Sequence, residues 1–323
     1  MNYIKILVVL VLFTFFAGCK KDEYKEFKKA PEYITHPDEA HKAYYEAYDK
    51  TLEKWRVAYE ELYITTSKGI AYVLVSGPKD GTPVILLHGM SASSTMWYPN
   101  AKALAKQYRI FAIDLIIEPG KSYKTADFEN IDEVTAWYEE IFWALKLESF
   151  HLIGTSRGGW LATDIALKSK RDIRSLILLS PVQTLMWIPP STDLLKNIFN
   201  VFYSREDGVW RTMETLSKNP SKIDKAYMAQ YRLGLKNDTE DKFLPQMQPF
   251  PNNELSTLKM PVLVLIGDDD MFNTKRSIKL TEKYLPRGKG EIIPNAGHFL
   301  SVDQAKIVNK KIVDFMKANE KVD

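Results

Sequence analysis

Ser156 stands between two glycines in Gly154-Thr155-Ser156-Arg157-Gly158. A largely apolar run, Phe150–Ile153, precedes these five residues. An amphipathic helical pattern, Gly159-Trp160-Leu161-Ala162 onward, follows them. That order suits a sharp strand-to-helix corner that exposes a serine hydroxyl as a nucleophile. Glycine on either side has no Cβ, so strand and helix can approach closely while the serine takes a strained backbone. The helix points its N-terminus at the corner and favours negative charge that develops there. A serine hydroxyl is a weak nucleophile, so a base is needed, and a carboxylate to orient that base.

The chain has five histidines. His36 and His41 precede the main pattern of elements, and His151 begins the run leading to Ser156, at its far end. His88 closes an earlier apolar run and is read as holding a loop. His298 lies in Pro294-Asn295-Ala296-Gly297-His298-Phe299, between the run Glu291–Ile293 and the last helical pattern. That loop belongs to the edge that must carry Ser156, so His298 is the candidate base. The carboxylate is expected where Val262–Ile266 runs into Gly267-Asp268-Asp269-Asp270, and the residues leave Asp268, Asp269 and Asp270 open. Acyl transfer also needs two backbone N–H donors for an oxyanion. Arg157, next after the serine, offers one. Leu87-His88-Gly89-Met90-Ser91 offers the other, with Met90 the candidate.

Bringing these groups to one edge requires parallel strands alternating with helices. Continuous apolar runs recur at Val84–Leu87, Arg109–Ile113, Phe150–Ile153, Leu176–Leu179 and Val262–Ile266, as in strands buried on both faces. Helical patterns at Pro99–Lys106, Ile131–Leu147, Gly159–Lys168 and Ser277–Leu285 separate them. The alternation predicts an α/β fold with a doubly wound, mostly parallel sheet. A hairpin of Glu60–Thr66 and Ile70–Ser76 precedes it. Earlier still, Pro37-Asp38-Glu39 opens a helix with Tyr44, Tyr48, Leu52 and Trp55 on one face. The alternation lapses over about 183–258. Helical patterns near Asp193–Phe202, Gly208–Lys218 and Ser221–Leu233 there predict a lid over the C-terminal edge of the sheet. Trp97, Trp187, Phe202 and Trp210 are candidates for an apolar substrate pocket.

Composition narrows the classes. The chain has 323 residues, 45% hydrophobic and 26% charged, which excludes a disordered tail or a collagen-like repeat. The net charge of +3 is spread without a basic stripe or tail, so no nucleic-acid partner is expected. A single cysteine, Cys19, excludes an internal disulfide and a multi-cysteine metal site. Lys5 followed by apolar Ile6–Ala17, broken by Thr14, reads as a signal peptide, too short to span a bilayer. Phe16-Ala17-Gly18-Cys19 resembles a bacterial lipobox, and Lys20-Lys21-Asp22-Glu23 is similar to surface-export signals of lipoproteins. The resemblance implies residues 1–18 as signal, acylated Cys19 as a membrane anchor, and 19–36 as a tether to a domain spanning 37–323. It implies a cell-envelope lipoprotein of the outer membrane, surface-exposed if the charged stretch acts as an export signal.

The order Ser156, aspartate, His298 resembles that of the α/β-hydrolases, over nearly all of 44–315. In that fold the acid sits three residues after the strand-ending glycine, which selects Asp270. A closer likeness is to bacterial carboxylesterases of the naproxen-esterase type. It is carried by Tyr45-Glu46-Ala47-Tyr48-Asp49-Lys50-Thr51-Leu52, by Tyr59-Glu60-Glu61-Leu62-Tyr63-Ile64, and by Leu87–Asn100 with its Ser94-Thr95-Met96-Trp97-Tyr98-Pro99-Asn100. The resemblance implies an α/β-hydrolase fold, hydrolysis of a small carboxylic ester by Ser156, Asp270 and His298, and no cofactor. Where that group carries an apolar or aromatic residue after the nucleophile, this chain has Arg157. Such a cation either attracts an acidic substrate group or pairs with a neighbouring carboxylate. The loop Leu115–Ser122 borders the site and narrows it. Two alternatives remain: an amidase or aminopeptidase whose lid carboxylates, Glu206, Asp207 and Glu214, hold a substrate amine, and a non-catalytic binding lipoprotein.

Overall fold

A computed structural model describes residues 23–188, 206–237 and 243–320. Among them nine strands form one sheet: β1 (Tyr59–Thr66), β2 (Gly69–Ser76), β3 (Pro83–Leu87), β4 (Arg109–Ile113), β5 (Tyr123–Lys124), β6 (Ser149–Thr155), β7 (Asp172–Leu179), β8 (Val262–Gly267) and β9 (Gly288–Ile293). The order is β1-β2-β4-β3-β6-β7-β8-β9, with β5 beside β2. The pairs β1–β2, β2–β4 and β2–β5 are antiparallel, and every pair from β4 to β9 is parallel. From β3 the chain first adds β4 on one side and later β6 on the other. The carboxyl ends of β3 and β6 therefore flank a topological switch point, where open α/β sheets leave a crevice.

Both faces of the sheet are covered, as the continuous apolar runs require. In β3, Ile85 and Leu87 face one core while Val84 and Leu86 face the other; in β8, Val262, Val264 and Ile266 oppose Leu263 and Leu265. Helices α1 (Glu39–Leu52), α2 (Ile131–Ala144), α3 (Arg157–Lys168), α4 (Glu206–Leu216), α5 (Lys225–Asn237), α6 (Lys275–Tyr284) and α7 (Ala305–Lys317) surround it. The Asp38 carboxylate caps α1 by accepting His41 N–H at 2.9 Å, and Asn130 caps α2 at Glu133 N–H.

Several boundaries differ from the sequence reading. Helix α2 ends at Ala144 rather than Leu147, because Lys146 turns left-handed (φ 55°) and Leu147 N–H closes back on Phe142 O at 2.8 Å. Pro99–Lys106 shrinks to one turn, Ala101–Leu104, after a 3-10 turn at Ser94–Trp97. Within 183–258, a 3-10 turn at Pro220–Lys222 delays α5 to Lys225. Trp97 is fully buried in the core, while Trp187 and Trp210 are exposed. Within 19–36, the Tyr24 ring meets Phe111 edge-on at 6.1 Å, and Tyr33 donates its hydroxyl to Lys121 O. The signal segment, Cys19, Phe202 and the pattern Asp193–Phe202 lie outside the described residues. No described helix is long and apolar enough to cross a membrane.

Two of the contacts made by the segment expected to form a lid reach loops of the sheet. Helix α5 lies along α1, and its buried Gln230 accepts the Thr95 hydroxyl (2.9 Å) and donates to Ser93 Oγ (2.9 Å). At the end of α4, Leu216 O accepts Phe299 N–H at 2.9 Å. Both contacts reach loops that follow sheet strands, β3 and β9.

Candidate active site

Ser156 sits on the corner between β6 and α3 with φ 52° and ψ −120°, a conformation that costs a non-glycine residue about 1–3 kcal/mol. The neighbouring glycines explain how the corner forms. A Cβ on Gly154 would lie 2.1 Å from Gly158 O, and one on Gly158 would lie 2.4 Å from His88 O. No side chain fits at either place. Ser156 N–H donates to Leu179 O at 2.9 Å, which ties the corner to β7.

His298 brings Nε2 to 2.9 Å from Ser156 Oγ and Nδ1 to 3.1 Å from Asp270 Oδ1. The Asp270 side chain is fully buried. Its Oδ1 also accepts Phe272 N–H and its Oδ2 accepts Asn273 Nδ2, each at 3.0 Å. Burial works to raise the Asp270 carboxyl, but the His298 ring and the bonds from His298 and Phe272 outweigh it and hold the group below its ordinary value. With Asp270 ionised, Nδ1 carries the proton and Nε2 is left to accept one from the serine. The Phe272 ring packs edge-on against the imidazole at 4.7 Å.

Of the three consecutive aspartates, only Asp270 reaches the imidazole. Asp268 accepts the N–H groups of Asn295 and Ala296, so it shapes the turn that leads to His298. Asp269 is exposed and pairs with Lys218. The other histidines are elsewhere. His88 accepts Leu115 N–H at Nε2 (2.9 Å), which makes Nδ1 the donor to Gly89 O (2.8 Å). Burial holds its ring below the ordinary histidine value. His151 is buried against Ser175.

The loop after β3 runs beside Ser156: a Cβ on Gly89 would lie 3.4 Å from Ser156 Cβ. Met90 and Ser91 follow, with Ser91 left-handed (φ 54°). Among the described residues no three of His, Cys, Asp and Glu converge as metal ligands.

Residues 82–256 match the model of the alpha/beta hydrolase fold family, more than half of the chain. The chain belongs to this family. It is 30% identical over 279 residues to carboxylesterase YbfK of Bacillus subtilis, covering 84% of this chain and 93% of that one. The uncharacterized carboxylesterase nap of the same organism is also 30% identical, over 281 residues, with 85% and 92% covered. The crystal structure of naproxen esterase from Bacillus subtilis superposes with a TM-score of 0.79 at 28% identity, over 86% of this chain and 99% of that one.

Within this α/β-hydrolase site, Arg157 turns away from any role as an open cation. Its guanidinium Nη1 pairs with Glu118 Oε1, and both side chains are almost wholly buried. Glu214, one of the lid carboxylates considered for holding an amine, is exposed and accepts the Trp210 indole N–H at 2.6 Å. The side chains of Glu206 and Asp207 lie outside the described residues.

Two buried carboxylates beside the site escaped the sequence reading. Asp303, fully buried, accepts Gly297 N–H (2.8 Å), Lys218 N–H (2.9 Å), Asn219 N–H (3.0 Å) and the Ser217 hydroxyl (2.5 Å). It joins the His298 loop to the end of α4, yet Ser301-Val302-Asp303 carries no motif. Glu118 was visible only as part of a loop bordering the site.

Proposed function

We propose that this chain is a serine esterase that hydrolyses small carboxylic esters through an acyl-enzyme. Ser156 Oγ attacks the ester carbonyl and passes its proton to His298 Nε2. The backbone N–H groups of Met90 and Arg157 hold the oxyanion, and removing one such donor typically costs about 10²–10³ in kcat. Collapse expels the alcohol, which takes the proton from His298. Water then gives a proton to His298 and attacks the acyl carbon, which releases the acid and restores the serine. Asp270 keeps the imidazole in the needed tautomer and stabilises its cation.

The observation that carries this reading is the 2.9 Å approach of His298 Nε2 to Ser156 Oγ, with Asp270 on the other ring nitrogen. The carboxylesterase relatives support the ester as substrate class. For the aminopeptidase alternative, Glu214 is the one of the three lid carboxylates whose side chain is described; it is exposed and accepts the Trp210 indole N–H. A panel of p-nitrophenyl esters of graded acyl length, run beside aminoacyl anilides, tests the reading. Ester turnover is expected, and Ser156→Ala abolishes it together with labelling by a fluorophosphonate. Undiminished turnover by Ser156→Ala would refute the assignment.

We further infer from Phe16-Ala17-Gly18-Cys19 that Cys19 is acylated and anchors the enzyme to the cell envelope, in the outer membrane. Two acyl chains suffice for stable anchoring. Fractionation of cells expressing Cys19→Ala reads this directly: the variant leaves the membrane fraction, and retention there contradicts the anchor.

A further inference from the structure

Glu118 lies in the loop after β4 with its side chain 2% exposed. It touches both segments that carry the oxyanion donors. Its Oε2 accepts Ser91 N–H at 2.7 Å, one peptide beyond Met90, and its Oε1 accepts Arg157 Nη1. The loop holding Met90 has no strand or helix to fix it, and Ser91 sits in a left-handed conformation that non-glycine residues leave unless held. The Glu118 loop is itself braced. Leu115 N–H reaches His88 Nε2, Glu118 N–H reaches Leu115 O, and Lys121 N–H reaches the buried Asp114 carboxylate. The braces are reciprocal: a side chain of the β3 loop holds the β4 loop, and a side chain of the β4 loop holds the β3 loop.

From this geometry we infer that Glu118 is a positioning residue, one carboxylate that sets the separation of the Met90 and Arg157 N–H groups. The inference rests on the esterase reading. A donor pair must match an oxyanion rather than a ground-state carbonyl, so loosening it weakens the transition state and spares substrate binding. The arginine after the nucleophile then has a task unrelated to substrate charge. It is the second arm of the clamp.

The test compares the wild type with Glu118→Ala on p-nitrophenyl acetate and on an arylboronic acid, a mimic of the tetrahedral intermediate. A displaced donor predicts a fall in kcat of about 10- to 100-fold at nearly constant KM, since an error of an ångström costs on that scale. The boronate inhibition constant rises by the same factor, and Glu118→Gln, able to accept Ser91 N–H, recovers part of both. If Glu118→Ala does not fold, the double variant Glu118→Leu with Arg157→Met, which removes both arms of the clamp and leaves no uncompensated buried charge, carries the same comparison. Unchanged kcat and boronate affinity, or a loss confined to KM, overturns the inference while wild-type turnover keeps the esterase reading. Absence of turnover and of boronate binding in the wild type overturns both.

Discussion

Replacing Asp303 by alanine tests whether the base loop and the lid form one unit. The carboxylate has no exposure and accepts four bonds, from Ser217, Lys218, Asn219 and Gly297. Alanine leaves Gly297 N–H, Lys218 N–H and the Ser217 hydroxyl without their acceptor, while Asn219 N–H keeps Ser217 Oγ at 3.1 Å. Each orphaned buried donor costs about 1–3 kcal/mol. Gly297 bears the full cost, but Lys218 is half open to water, so about 4 kcal/mol is expected in total. At about 2.1 cal/mol/K of unfolding entropy per residue, a domain of this size then melts about 6–8 °C lower. Asparagine is milder. It can keep its oxygen on Lys218 and Gly297 and turn its NH2 toward Ser217, whose hydroxyl then accepts, for a loss of about 1–2 kcal/mol. Because Gly297 immediately precedes the base, Asp303→Ala also lowers kcat by about tenfold or more. Thermal melting and p-nitrophenyl acetate turnover read both effects. A Tm within about 3 °C of wild type, or equal losses in the two variants, refutes the reasoning.

Asp270→Asn lowers kcat by about 10⁴, the loss seen when a triad carboxylate becomes an amide, whereas Asp269→Asn, on an exposed ion pair, leaves turnover near wild type. Equal rates for the two variants would contradict the division of roles. Gly154→Ala destabilises by more than about 4 kcal/mol, because its methyl meets Gly158 O at 2.1 Å and backbone on both sides must move; a normal urea midpoint would exclude that packing. Burial depresses the His88 ring in the folded state. Below about pH 6.5 the unfolded chain therefore binds a proton that the folded chain refuses, and stability falls as pH drops through that window. Asp270, also depressed, holds its contribution above about pH 3.9 and loses it only at lower pH. Urea midpoints at a series of pH values should decline in the first window, and a flat profile between neutrality and pH 5 counts against a neutral, buried His88.

The strands were legible because both faces of the sheet are buried, so the apolar runs have no polar interruptions to blur them; Arg109–Ile113 appears in the structure with the same limits. The serine corner was legible because its glycines answer to steric contacts within five residues. The two-residue strand Tyr123–Lys124 was not, since it exists only through its pairing with Gly69 and Ile70. Asp303 and Glu118 were not, because their importance lies in backbone N–H groups far along the chain, and any residue type can present an N–H. Trp97 was misread as a pocket wall. Its aromatic character is equally suited to a core, and only the 3-10 turn at Ser94–Trp97 decides which way it points. Of the adjacent aspartates, composition distinguishes none; the one that faces the imidazole is set by where β8 ends.

The strain at Ser156 has to be offset by its immediate surroundings. Its backbone costs about 1–3 kcal/mol, and four hydrogen bonds oppose it: Ser156 N–H to Leu179 O, and Val182, Gly159 and Trp160 N–H to Ser156 O. At about 0.5–1.5 kcal/mol each, these offset the strain. They form only if α3 starts at once after β6, which the glycines at 154 and 158 permit. The same abrupt start leaves the first N–H groups of α3 without intrahelical partners at the corner itself. The strained serine and the proposed oxyanion donor Arg157 are thus consequences of one steric choice. A relaxed serine would withdraw its hydroxyl from His298 and displace that donor together.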